Sequence, residues 1–361
     1  MRRFTTFATV AALVAAVVPP GADAHSFGRL YNLPVPFWMY AYGASAALLL
    51  SFLVAGWFLT VAESAPDTSS RQPRWRDAAW AQRLLPLCRG VALGGLMLCV
   101  ITGLFGNADP FRNFNMTFFW IVFILGFSYM NAVAGNLYAA LNPWRLLAQL
   151  IDRVLHGYAR GRWRYPAALA YWPALALYMG FICVELFAHT NPRSLALYLL
   201  VYSALNLIGV GLIGAADWFR YCEFLSVFMR LLAKMAPVEY QAGRLRLRAP
   251  FAGLLEDHAT HLSLLVFVLF MLSSTAYDGL SATRFWFEVF WLDPTGLLRA
   301  WFGNAPIMVF PKVLPLFHVF STLCLLLSAF VYLAVYLACI AMAKLITRSP
   351  HSLMELALRF A

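Results

Sequence analysis

The chain has 361 residues, of which 62% are hydrophobic and only 12% are charged. Soluble domains carry about twice that charged fraction, so the composition excludes an ordinary soluble protein. The net charge of +11 is high enough to suggest a nucleic-acid partner. The basic residues, however, alternate between successive loops, which indicates orientation in a membrane and no nucleic-acid partner.

The N-terminus has the pattern of a secretory signal peptide. A positively charged start precedes the apolar run 5–18, and the small residues Ala22 and Ala24 form an A-x-A cleavage site. The sequence therefore predicts a signal peptide over 1–24 and a single transmembrane domain over 25–361.

Cleavage after Ala24 makes His25 the first residue of the mature chain. A terminal histidine combines an imidazole with a free amine, and this pair of nitrogens suits copper. His25 is therefore a candidate metal ligand. The alternative interpretation is that His25 merely follows the cleavage site.

Seven apolar segments follow the signal, each long enough to cross a bilayer, which takes about 20 residues. They cover residues 36–62, 86–106, 115–141, 166–189, 194–216, 252–277 and 310–344. The predicted fold is all-α: a polytopic membrane helix bundle of about seven transmembrane helices. The six cysteines are scattered through the apolar segments, which predicts neither a disulfide framework nor a cysteine metal site.

Lysine and arginine residues are concentrated on one side of these spans. The loops after the first, third and fifth spans, together with the C-terminal tail, carry 19 of them, and the opposite side carries six. Positive charge is retained in the cytoplasm, so we expect the mature N-terminus outside and the C-terminus inside.

Two connections are longer than turns. Residues 217–251 mix aromatic and basic side chains, which predicts an amphipathic helix in the headgroup region on the inner side. Residues 279–309 are rich in phenylalanine and tryptophan. We expect this segment to rest on the outer surface, where it can roof a pocket.

Polar residues occur at both ends of the sixth predicted span. His258 and His261, three residues apart, would share one helical face and can bind copper, iron or zinc if other elements complete the site. Packed, hydrogen-bonded histidines are the alternative. Ser273 and Ser274, nearer the other end, lack a serine-hydrolase signature and are interpreted as helix-packing residues.

A second group of polar residues converges on the outer side if the predicted topology holds. It comprises His25, Asp109, Glu185, His189, Asp278 and His318. Charged groups at membrane depth are costly, so their convergence indicates a site. Glu185 and Asp278 are the candidate catalytic carboxylates. His25, His189 and His318, or separately His258 and His261, are the candidate ligands of a divalent metal, with copper favoured over zinc and iron.

Several short strings are similar to a family of bacterial integral membrane proteins named after fenitrothion hydrolase. They are residues 24–28 (AHSFG), 33–38 (LPVPFW), 42–44 (YGA), 141–145 (LNPWR), 235–237 (MAP), 243–244 (GR) and 274–279 (STAYDG). The resemblance implies a hydrolase in the bacterial inner membrane that cleaves the aryl P–O bond of an organophosphorus triester and releases a nitrophenol. It also implies a second, similar membrane subunit.

Two other classes of function stay open at this point. A non-enzymatic copper-handling or transport component would explain the terminal histidine and the absence of a strong catalytic signature. A haem-binding electron carrier would use His258, His261 or His318 as axial ligands.

Overall fold

The computed structural model describes residues 42–43, 45–46, 49–53, 79–188, 190–241, 244–256 and 258–360. The predicted signal peptide, His25, His189 and most of the first predicted span lie outside these residues. Of that span, 42–43, 45–46 and 49–53 are helical.

The first half of the described chain forms long apolar helices joined by short ones. These helices are α1 (Ala79–Phe105), α2 (Phe114–Met116), α3 (Phe127–Ala134), α4 (Tyr138–Leu141), α5 (Pro143–Val154), α6 (Trp172–Phe187) and α7 (Pro192–Ile213). A π-helix, Thr117–Gly126, joins α2 to α3, and 3₁₀ turns occupy Tyr158–Arg160 and Ala167–Leu169.

The second half adds short elements between two further long helices. The helices are α8 (Ala215–Asp217), α9 (Phe224–Leu232), α10 (Gly253–Glu256), α11 (Leu262–Ser281), α12 (Arg284–Phe287), α13 (Leu297–Phe302), α14 (Phe310–Thr347) and α15 (Leu353–Arg359). Strands β1 (Val238–Gln241) and β2 (Arg244–Leu247) form an antiparallel hairpin in which Val238 faces Leu247. π-Helices occupy Trp218–Cys222 and Glu288–Leu292, and 3₁₀ turns occupy Ala233–Met235 and Pro306–Val309.

Six segments of the described chain are long and apolar enough to cross a membrane, so the protein is a multi-pass membrane protein. They are Arg83–Phe105, Phe114–Ala134, Ala167–Phe187, Pro192–Ile213, Leu262–Ser281 and Pro306–Thr347. These correspond to the second to seventh predicted spans. The predicted all-α helix bundle is confirmed.

Two predicted boundaries are wrong for identifiable local reasons. The third predicted span ends at Ala134 because Gly135, at φ 86°, turns the chain so close to β1 that a Cβ there would lie 2.5 Å from the Val238 carbonyl oxygen. The sixth begins at Leu262, ten residues later than predicted, because α10 is a separate helix and His261 is extended at φ −145°.

The connections between the spans fall on two faces of the bundle. We call the face with residues 106–113, 188, 190–191 and 282–305 the aromatic face. The face with 135–166, 214–241, 244–256, 258–261 and 348–360 is the arginine-rich face. On the aromatic face, Phe290, Trp291 and Val313 form a small buried cluster, whereas Trp301 is 83% exposed.

The amphipathic helix predicted within 217–251 exists as α9, but it does not lie free on the surface. Helix α9 instead packs inside the bundle, where Val227 and Met229 are fully buried. Its Phe224 contacts both Tyr178 of α6 and Tyr202 of α7. Neighbouring helices therefore cover most of the apolar surface of α9.

Candidate functional site

A groove of about 550 Å³ lies among four elements of the bundle. We call it the central groove. Its walls are the helix that runs through the Thr117–Gly126 π-helix into α3, together with α6, α9 and α11. The lining residues are Ile124, Leu125, Ser128, Tyr129, Ala132, Tyr178, Phe181, Ile182, Glu185, Leu186, Phe224, Leu225, Phe228, Leu232, Met235, Met271, Ser274, Thr275 and Asp278. Ligand pockets for small molecules have this size and this mainly apolar lining.

Glu185 and Asp278, the two predicted catalytic carboxylates, both line the central groove. They lie close enough to interact electrostatically. They are 93 positions apart in the chain, so only the packing of α6 against α11 brings them together. Two carboxylates that interact in this way repel each other when both are ionised.

Helical spacing explains why these side chains face the groove. On α6, Tyr178, Ile182 and Glu185 are at positions i, i+4 and i+7. On α11, Met271 and Asp278 are seven residues apart. Residues at this spacing lie on one side of an α-helix. Each carboxylate therefore stands at the end of an otherwise apolar or aromatic stripe.

The hydroxyl groups of α11 are committed to structural hydrogen bonds. Ser274 Oγ and Thr275 Oγ1 both donate to the Met271 carbonyl, at 3.3 Å and 3.1 Å. Ser273 is fully buried, and Ser328 Oγ of α14 donates to its hydroxyl at 2.9 Å. This arrangement agrees with the interpretation of Ser273 and Ser274 as packing residues.

The groove opens sideways between α3 and α11. Leu125 and Tyr129 on its rim are 53% and 66% exposed, at positions that the surrounding lipid would contact in a membrane. Among the described lining residues of this groove, none belongs to the aromatic segment 279–309, so the roof stays a prediction. The groove is therefore accessible from the side of the helix bundle at Leu125 and Tyr129.

Behind the groove lies a carboxylate that the sequence patterns did not single out. Glu223, the N-cap of α9, is fully buried. Its Oε1 accepts hydrogen bonds from Tyr202 Oη at 2.5 Å and Tyr138 Oη at 3.1 Å. Its Oε2 accepts from the Ser226 backbone N–H at 2.7 Å and from Asn142 Nδ2 at 3.4 Å. The one signal for it in the sequence was a lone acidic residue between aromatic runs in 217–251.

Burial and hydrogen bonding act on Glu223 in opposite directions. Burial raises the pKa of the Glu223 carboxyl, because the charged form loses its hydration. The hydrogen bonds from Ser226, Tyr202 and Tyr138 oppose that rise. Burial also raises the pKa of Tyr138, so its hydroxyl keeps the proton that it donates.

The predicted histidine ligands do not form a shared site within the described chain. His258 and His261 precede α11 in a non-helical stretch, so their expected common helical face is wrong, and both are exposed. His318 lies near the start of α14 at the aromatic face, whereas the other two lie at the arginine-rich face. A 20-residue helix of about 30 Å separates these faces, too far for the three histidines to share one haem.

No group of three or more histidine, cysteine, aspartate or glutamate side chains able to hold a metal occurs among the residues that the structure describes. Asp109 lies in the loop after α1 on the aromatic face, where it pairs with Arg112 at 3.7 Å, and it is not among the described residues that line the central groove. His25 and His189 lie outside the described residues, so their roles as ligands stay predictions.

Comparisons of the chain with protein-family models, with curated proteins and with solved structures found no match. No relative therefore contributes a residue role to the central groove.

Proposed function

We propose that the protein is a membrane-bound hydrolase of small apolar organophosphorus triesters, of the kind in which an aryl P–O bond is cleaved to release a nitrophenol. One observation carries this proposal: two interacting carboxylates, Glu185 and Asp278, line a mainly apolar groove that has the size of a ligand site. The similarity of residues 274–279 and of the other short strings to the fenitrothion hydrolase family supports the same substrate class.

The paired carboxylates supply the acid and the base that the reaction needs. The ionised carboxylate removes a proton from water as the water oxygen bonds to phosphorus. The protonated carboxyl gives its proton to the aryl oxygen as the P–O bond breaks. The products are a nitrophenol and a dialkyl (thio)phosphate. General acid–base catalysis of this kind contributes about 10²–10⁴-fold to a rate.

The lining of the groove suits the substrate. Phe181, Phe224 and Phe228 offer aromatic surface to the nitrophenyl ring. The lateral opening admits a triester that has partitioned into the bilayer. An uncharged triester loses little hydration in such a groove, whereas the charged product would be expelled.

A divalent metal, copper above all, is expected from His25 and the other candidate histidines, but the described groove residues do not form a site for it. The groove offers two carboxylates, while catalytic zinc and copper sites use about three protein ligands. The proposed acid–base steps therefore use the two carboxylates alone. Activity of the purified protein before and after chelation, with metal analysis of both samples, tests the expectation directly.

The proposed setting is the bacterial inner membrane, with the arginine-rich face in the cytoplasm and a second, similar subunit alongside. The distribution of basic residues supports the orientation. The resemblance alone supports the second subunit, which would copurify with the chain in its native membrane.

The decisive experiment measures nitrophenol release from fenitrothion by the purified full chain in lipid nanodiscs. We expect Glu185→Gln and Asp278→Asn each to lower the turnover number about 100-fold or more, because each removes the acid or the base. The matched control is Glu288→Gln, since Glu288 lies outside the groove in a surface pair with Arg284. Wild-type rates in both groove variants would contradict the proposal.

A transport or metal-handling component is the second candidate function. The central groove favours it in one respect. It extends from Asp278, three residues before the end of α11, to Met235, which follows α9 on the arginine-rich side. A groove of this length offers a passage between the two faces. This candidate would be favoured over the hydrolase if the protein binds fenitrothion or copper without turnover and if that binding depends on Glu185 and Asp278.

A further inference from the structure

The Glu223 carboxylate accepts four hydrogen bonds, two at each oxygen. The donors at the two oxygens differ in chemical type. On Oε2, the Ser226 backbone N–H and the Asn142 amide can only donate. On Oε1, the hydroxyls of Tyr202 and Tyr138 can donate or accept. Both hydrogen-bond donors at Oε1 therefore tolerate a proton on that oxygen, and the Ser226 hydroxyl is a further group beside the carboxyl that can donate or accept.

Protonation at Oε1 needs no movement of a side chain. A tyrosine hydroxyl that rotates about its C–O bond changes from donor to acceptor while its oxygen stays in place. Tyr202 Oη, at 2.5 Å, is already at the short end of O–H···O distances. A proton on Oε2 would instead leave two donors facing it.

We propose that Glu223 is a proton-binding site inside the bundle, and that binding of the proton at Oε1 loosens the first turn of α9, which forms the floor of the central groove. The inference concerns a site behind the groove and does not depend on triester hydrolysis.

Elements other than α9 also present polar groups near Glu223. Tyr138 comes from α4, Asn142 from the start of α5 and Tyr202 from α7. Arg145 of α5 is close enough to interact electrostatically with Glu223, and its positive charge favours the ionised carboxylate. Burial favours the neutral carboxyl. These opposing effects make a proton equilibrium possible where a lone buried carboxyl would stay neutral.

The position of Glu223 at the N-cap couples its charge to the groove. Its Oε2 caps α9 through the Ser226 N–H, and a negative charge at a helix N-terminus is stabilising. Protonation removes that charge. Phe224, Leu225 and Phe228, in the two turns that follow, line the groove, so loosening of the first turn changes the shape of the groove floor.

Infrared difference spectroscopy of the full chain in nanodiscs tests the proton site. As the pH falls, we expect the carbonyl band of a protonated buried carboxylic acid to appear, and Glu223→Gln to remove it. Tyr202→Phe removes a hydrogen bond that stabilises the ionised Glu223 carboxylate. In that variant we therefore expect the band of the protonated Glu223 carboxyl to persist to a pH about one to two units higher than in the wild type. The control is Tyr336→Phe, whose lost hydroxyl donates to the distant Ala357 carbonyl.

Each outcome decides for or against the proposal. If Glu223→Gln does not fold, the shift in Tyr202→Phe alone identifies the band. If the carbonyl band does not change with pH while the protein stays folded, the proposed proton site is overturned. The same holds if the band titrates at the same pH in Tyr202→Phe as in the wild type. Loss of fenitrothion turnover has no bearing on this readout.

Hydrogen exchange tests whether protonation of Glu223 loosens α9. It is measured at one fixed pH between the midpoint of the Glu223 titration in the wild type and the midpoint in Tyr202→Phe. There Glu223 is ionised in the wild type and protonated in Tyr202→Phe. We expect backbone amides of 224–232 to exchange several-fold faster in Tyr202→Phe, and at the wild-type rate in Tyr336→Phe. Equal exchange in all three proteins would overturn the coupling.

Discussion

Arg248, which follows β2, connects the β-hairpin to the end of α9 through several hydrogen bonds of one side chain. Its side chain is only 7% exposed. It donates to the carbonyls of Ala233, Lys234 and Ala236, which follow α9, at 3.0–3.2 Å. It also pairs with Glu256 of α10 at 3.2 Å. The planar guanidinium suits this arrangement, because it presents several N–H donors in a fixed fork.

We therefore expect Arg248→Lys to be destabilising even though it keeps the charge. An ammonium group cannot reach all of these acceptors, and the unpaired carbonyls would cost about 2–3 kcal/mol. The free energy of unfolding in detergent measures the effect. Arg284→Lys is the control: the Arg284 side chain is 90% exposed, so its change should stay within about 0.5 kcal/mol. Equal effects of the two substitutions would contradict this role of Arg248.

At the scale of elements, α7 and the π-helix after α8 meet at a glycine. A Cβ on Gly209 would lie 2.2 Å from the ring of Trp218. Trp218 is held by a 2.7 Å hydrogen bond from its Nε1 to Asn206 Oδ1. This close approach sets the path of the chain into Glu223 and α9, and so sets the position of the groove floor.

Gly209→Ala should displace Trp218 and destabilise the protein by about 1–3 kcal/mol, the range for overpacking of a core. Gly180 is the matched control, because it also lies inside a membrane-spanning helix and a Cβ added there would meet no neighbouring atom within 4 Å. Gly180→Ala should be neutral or stabilising by about 0.5–1 kcal/mol. Thermal unfolding of both variants in nanodiscs tests the difference, and a stable Gly209→Ala protein would refute the packing argument.

At the scale of the whole molecule, the proposed orientation places the arginine-rich face in the cytoplasm. Asn304 lies on the aromatic face and Pro350 on the arginine-rich face, on either side of α14. A single cysteine is introduced at each position in a chain whose native cysteines are replaced. Its labelling shows on which side of the membrane each face lies.

We expect a membrane-impermeant maleimide to label Asn304→Cys in intact cells and to label Pro350→Cys only after the membrane is opened. The physical reason is that lysine and arginine residues near the spans resist translocation. The opposite labelling pattern would invert the orientation and place the groove carboxylates near the cytoplasm.

Much of the architecture was predictable because hydropathy is a local property of the chain. Any run of about 20 apolar residues must form a helix in lipid, where each backbone polar group needs an internal partner. The second to seventh predicted spans are confirmed on this basis. The error at Gly135 arose where a turn, and not polarity, ends the third span. The error at the sixth span arose because a separate short helix, α10, and the polar residues after it precede α11.

The candidate carboxylates could be selected from the sequence, because charged residues inside apolar segments are rare. Their meeting could not be predicted, since it depends on the rotation of α6 and α11 about their axes and on the packing between them. Tertiary structure alone also decided that α9 enters the bundle and that Glu223 is buried with Tyr138 and Tyr202. An amphipathic pattern states only that a helix has an apolar side. Whether lipid or protein covers that side depends on the space that the other helices leave between them.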